Sequence, residues 1–170
     1  MIKRGLTGNQ LKLIAMITMT VDHVGLVLFP QQILFRVIGR LAFPIYAFMI
    51  AEGCVHTKSM GRYLGTMAAV AAVCQVAYFV ALDSLFQCVL VTFAMSVALI
   101  ALLKNAMEKK SAMAVAVFCV GVAAAYFITE VLPGLLPSTD FFVDYRFPGV
   151  MLPVVSMRRR ESCKSSVCAR

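Results

Sequence analysis

Leu11-Lys-Leu-Ile-Ala-Met-Ile-Thr-Met-Thr-Val-Asp-His-Val-Gly-Leu-Val-Leu-Phe29 decides how the rest of this chain is read. It is apolar almost throughout and close to the length of about 20 residues that a helix needs to cross a hydrocarbon core of roughly 30 Å. A helix on the surface of a soluble domain would instead carry polar residues along one whole face. Past Lys12, the ionisable residues in this run are Asp22 and His23, side by side toward its far end. Met1 to Arg4 precede it without a small-residue cleavage site after the apolar run, so it reads as an uncleaved first helix.

The same pattern recurs along the chain. Apolar blocks run from Ile33 to Gly53 with Pro44 inside, from Tyr63 to Leu82, from Leu85 to Leu103 and from Ser111 to Leu132. Pro44 removes one backbone hydrogen bond and is expected to kink the second block. The totals agree: 61% of the 170 residues are hydrophobic and 14% charged, against about half and about a quarter in soluble domains. The expected fold is an all-α integral membrane protein, a multi-pass helical bundle of five transmembrane helices plus a partial sixth. The sixth is Gly149 to Val155, after Pro133 and Pro137, and is too short to cross by itself. From Met157 the chain turns polar and basic to Arg170. Residues 1–156 thus read as one polytopic domain and 157–170 as a basic tail, the mark of a truncated or frame-shifted helix.

The net charge of +8 does not point to nucleic acid, because the basic residues are not gathered into a patch interleaved with aromatics. They sit between the apolar blocks. With a cytoplasmic N-terminus, one side receives Lys3, Arg4, Lys12, Lys58, Arg62, Lys104, Lys109, Lys110 and Arg158 to Arg160. The other receives Gln31, Asp83, Glu130, Asp140 and Asp144, with Arg146 its one clear basic residue. That asymmetry is the positive-inside pattern. The six cysteines form no disulfide framework and no zinc-ligand spacing, so no metal is expected. Walker A, dinucleotide-binding and HExxH motifs are absent.

Chemistry is sought where ionisable residues lie within the spanning blocks, since each costs at least about 2.5–3.5 kcal/mol to insert and calls for a partner. Asp22 and His23 lie at a depth similar to that of Arg36 and Arg40, which are one turn apart. An ion pair of Asp22 with either arginine is expected, with His23 as general base or proton relay; the plainer reading is two helices locked together. Thr18, Asp22, Gly25 and Phe29 share a face on which glycine permits close helix approach. Glu52 and His56, four apart at the inner end of the second block, suit a cytoplasmic ligand or an interfacial helix end. Gln75 with Tyr78, and Thr92 with Ser96, are read as interhelical hydrogen-bonding spots.

Leu11 to Gly25 closely resembles the first helix of TraX family proteins. Arg36-Val-Ile-Gly-Arg-Leu-Ala-Phe-Pro-Ile-Tyr-Ala-Phe48 resembles the next part of the family pattern, continuing through Ala51-Glu-Gly53 to His56-Thr57 and Tyr63. The likeness is dense from Leu11 to Leu64 and weaker but in register afterwards, and Gly149-Val-Met-Leu-Pro-Val154 looks like the start of a later family helix. The resemblance implies a membrane acetyltransferase of the bacterial inner membrane that takes acetyl-CoA as co-substrate. Its best-known acceptor is the N-terminus of F-type pilin; an envelope polymer or glycan is another. Asp22, His23, Arg36 and Arg40 would then carry catalysis, and Glu52, His56, Lys58 and Arg62 would bind substrate, the cations attracting phosphates. A transporter and a non-catalytic membrane subunit of a conjugation or pilus assembly are the competing readings.

Overall fold

The computed structural model describes residues 7–28, 33–82, 88–135 and 145–168, and every regular element among them is helical. Lys3, Arg4, Phe29, Gln31, Asp83, Pro137, Asp140 and Asp144 lie outside the described residues. The chain divides into two compact units, Met1–Met49 and Ile50–Arg170.

In the first unit, α1 (Gly8–Leu28) packs against α2 (Ile33–Arg40). Its start is set locally: Thr7 N–H donates to Gln10 Oε1 at 2.9 Å, and Gln10 N–H donates to Thr7 Oγ1 at 3.3 Å. This is a capping box, written in the sequence as Thr7-Gly-Asn-Gln10. The expected kinked helix over Ile33 to Gly53 is two helices, α2 and α3 (Ala42–His56), parted by a turn at Leu41. Pro44 explains the break. It cannot donate to the carbonyl of Arg40 four residues back and its ring crowds that carbonyl, so the helix restarts with Pro44 in its first turn, where no N–H is needed. Leu41 N–H reaches back to Ile38 O instead, at 3.1 Å.

The second unit begins within α3 and continues through α4 (Met60–Leu82), α5 (Val89–Lys109), α6 (Ala112–Tyr126), α7 (Leu132–Leu135) and α8 (Arg146–Cys168); a π-helical turn, Phe127–Val131, joins α6 to α7. Its centre is α5, which packs on α4, α6 and α8 and buries Thr92, Phe93, Ser96, Val97, Leu99, Ile100, Leu103 and Ala106. Gly121 of α6 lets Leu102 and Leu99 approach, since a Cβ there would lie 2.8 Å from Leu102 Cδ1. The expected polar spots act as joints. Ser96 Oγ bonds the Val150 carbonyl of α8 at 2.8 Å, beside Pro153, whose missing N–H disturbs that helix's own ladder. Gln75 Oε1 accepts the Cys88 N–H at the start of α5, at 3.2 Å. The Tyr78 side chain lies outside the described ones.

Val37–His56, Val89–Lys109 and Ala112–Leu135 are long and apolar enough to cross a membrane. The helix placed at Leu85 to Leu103 instead runs to Lys109, because basic residues are favourable in a last turn, where the helix dipole is negative. The short stretch at Gly149 to Val155 is the middle of a continuous 23-residue helix, and Met157 onward prolongs it. Glu130 caps that helix from the π-helical turn: its Oε1 accepts the Phe147 N–H at 3.2 Å and its Oε2 lies 3.5 Å from Arg146 Nη1.

Candidate functional site

The sequence-derived residues fall into two places, one in each unit. In the first unit, Asp22 of α1 lies against the backbone of α2 at Gly39. A Cβ added at Gly39 would overlap the Cβ, Cγ and Oδ1 atoms of Asp22, so only glycine admits the two helices this close. Thr18, on the same face, satisfies its hydroxyl within α1, at 3.0 Å from Ile14 O and 3.1 Å from Ala15 O, and Gly25 is buried.

Of the two arginines expected to pair with Asp22, only the Arg40 side chain is among the described ones. The ion pairs among the described residues are Glu52–His56, Glu130–Arg146 and Glu52–Arg160, and Asp22 with Arg40 is not one of them. Arg40 is exposed in the last turn of α2, a favourable place for a cation. The backbone of α1 carries His23 and that of α2 carries Arg36, but both side chains lie outside the described ones.

In the second unit, the end of α3 is built into a charged cluster. His56 Nδ1 lies 3.0 Å from the backbone carbonyl of Glu52 and 3.4 Å from Glu52 Oε1. Spacing of four residues in a helix places them so. The other carboxylate oxygen, Oε2, pairs with Arg160 of α8. Lys104 of α5 donates to the Cys54 carbonyl at 2.7 Å, satisfying one of the carbonyls that a helix end leaves without an intrahelical partner. Gly53 leaves room for the ring of Tyr63, whose hydroxyl oxygen would lie 2.9 Å from a Cβ there.

Lys58 and Arg62, in the turn after α3 and the first turn of α4, are exposed. The N–H of Arg62 donates to Ser59 Oγ at 3.5 Å, an N-cap contact that starts α4. Glu52 and His56 are therefore brought together as their spacing implied, with Lys58 and Arg62 beside them in the chain. Arg160 was not legible as the partner of Glu52, nor Lys104 as that of the Cys54 carbonyl. Both read as topology-setting cations, and no local spacing links position 160 to 52 or 104 to 54. Among the described residues, no three His, Cys, Asp or Glu side chains come together as metal ligands would.

The chain is similar to known proteins. It is 50% identical over 38 residues to the uncharacterized protein RP591 of Rickettsia prowazekii (strain Madrid E), a stretch covering 22% of this chain and 15% of that protein. It is 36% identical over 62 residues to the probable fimbrial assembly protein FimC, serogroup H1, of Dichelobacter nodosus, covering 34% of this chain and 25% of that protein. The matched stretches thus span a quarter or less of these curated relatives. No solved structure matches the chain. The sequence model described as TraX protein matches residues 7–168, so the polar end of α8 lies inside the match. The chain belongs to the TraX family.

Proposed function

We propose that this chain is a membrane-embedded acyltransferase of a pilus or conjugation system, moving an acetyl group from acetyl-CoA to an amine or hydroxyl acceptor. The observation that carries the reading is family membership across residues 7–168. The likeness to a fimbrial assembly protein supports the pilus setting and makes pilin a natural acceptor, with an envelope polymer or glycan as the other. In this reading α1, the α2–α3 pair, α4, α5 and the α6–α7 segment cross the bacterial inner membrane. The N-terminus is cytoplasmic, in line with the basic residues between helices.

Asp22, His23, Arg36 and Arg40 are the residues proposed for the chemistry, with an arginine stabilising the oxyanion of the tetrahedral intermediate, a kind of contribution worth about 2.7–4 kcal/mol elsewhere. Glu52, His56, Lys58 and Arg62 are proposed for substrate binding, the two cations drawing in the phosphates of acetyl-CoA. One observation favours a second reading: the Dichelobacter relative is described as a probable fimbrial assembly protein, which fits a membrane subunit of a pilus assembly.

Membranes bearing the chain, its His23→Ala variant or no insert, given acetyl-labelled acetyl-CoA, separate the two. Label in a protein or glycan fraction with the unmodified chain alone is the expected result. Equal label in all three, with expression matched, would leave the assembly role.

A further inference from the structure

A neutral imidazole donates from one ring nitrogen and accepts at the other. His56 Nδ1 faces two oxygens of Glu52, the backbone carbonyl at 3.0 Å and carboxylate Oε1 at 3.4 Å. Neither oxygen has a hydrogen to give, so the hydrogen is on Nδ1 and the lone pair of the neutral ring is on Nε2. Glu52 is itself held, because Oε2 is paired with Arg160 from α8. Arg160, Glu52 and His56 thus form a chain in which a carboxylate fixes the tautomer and plane of an imidazole, the arrangement that prepares a histidine to act as general base. The His56 side chain is 61% exposed, so a substrate can reach it. Lys58 and Arg62, exposed and within six residues, set positive charge beside it for an anionic substrate.

We infer that His56, beyond binding substrate, is a proton-transfer residue of the acyl transfer alongside the His23 group, that Glu52 and Arg160 are its positioning residues, and that the donor is a phosphate-bearing acyl thioester. The inference rests on the acyl-transfer reading above. The acceptor nitrogen or oxygen attacks the thioester carbonyl, forming the new C–N or C–O bond as the C–S bond breaks. The acceptor's proton moves to His56 Nε2 and from there to the departing sulfur, which leaves as the free thiol. Atoms and charge balance without a further reactant.

The chain has two histidines, so chemical labelling resolves them. Diethyl pyrocarbonate acylates the unprotonated imidazole nitrogen, and peptide mass spectrometry of the full chain in lipid nanodiscs would follow His56 and His23 separately. His56 is expected to react, to be protected several-fold by acetyl-CoA, and to change its rate in Glu52→Gln. In the transfer assay, His56→Ala is expected to lower kcat by about 10²–10⁴-fold, the usual contribution of a positioned acid–base group. Glu52→Gln should lower kcat by a larger factor than it raises KM for acetyl-CoA. Arg160→Lys should retain more activity than Arg160→Gln, and Arg160→Gln should change the His56 labelling rate as Glu52→Gln does.

Should His56→Ala fail to insert, His56→Gln makes the same comparison. Unchanged kcat in an inserted His56 variant overturns the inference. Unchanged His56 labelling in Glu52→Gln overturns the positioning role. If the unmodified chain transfers no acetyl group while His56 labelling still depends on Glu52, the acyl-transfer reading has failed and the imidazole geometry has not.

Discussion

The α1–α2 pair and the end of α3 both carry a carboxylate, and each settles it differently. Asp22 is seated against the backbone of α2, in room left by Gly39. Glu52 is seated among charges, His56 on one oxygen and Arg160 on the other. The first arrangement depends on volume and the second on electrostatics. Close packing tolerates little change in shape, whereas partly exposed ion pairs are screened and each worth little. The first should therefore dominate stability, and the second should matter more for chemistry than for folding.

Gly39→Ala gives the sharpest contrast. The added methyl group overlaps Asp22, and overpacking of this kind costs about 1–3 kcal/mol. Unfolding in mixed micelles should show that loss, and a double variant with Asp22→Gly should recover much of it. A loss that Asp22→Gly does not touch would mean the clash is not with Asp22. Ser96→Ala comes next. It removes a buried interhelical bond to the Val150 carbonyl, of a class worth about 0.6 kcal/mol on average in membranes and up to about 1.7 kcal/mol. Hydrogen exchange should rise in α8 around Pro153 before it rises in α4.

Arg160→Gln should be the smallest, at most about 1 kcal/mol and shrinking further with added salt, since Arg160 and Glu52 are both about a third exposed. A salt-independent loss larger than that of Ser96→Ala would show that the α3–α8 tie holds the second unit together, and the proposed division between packing and chemistry would fall.

Particular residues show what reading the chain could reach. Asp22 and Gly25 were legible as residues on one face of a helix, because helical periodicity is local. Gly39, the close neighbour of Asp22, was not legible, because a glycine standing between two arginines gives no charge signal. The Thr7–Gln10 capping box is local too, written in the four residues just before the apolar run. Pro44 was expected to kink a helix and separates two. A proline's missing hydrogen bond is a property of the residue, but whether the helix bends or restarts depends on what surrounds the freed carbonyl.

Residues near in sequence carried the rest of the reading. The apolar blocks follow from composition over about 20 residues, and the proximity of Glu52 to His56 follows from the helical turn. Family membership over residues 7–168 is likewise a matter of linear pattern. The pairing of Glu52 with Arg160, of Cys54 with Lys104 and of Ser96 with Val150 does not follow from any such pattern. Those partners lie 50 or more residues apart. Local rules give the pitch of each helix and the length of each apolar stretch. Which helices become neighbours, and at what rotation, is set by packing the whole second unit around α5.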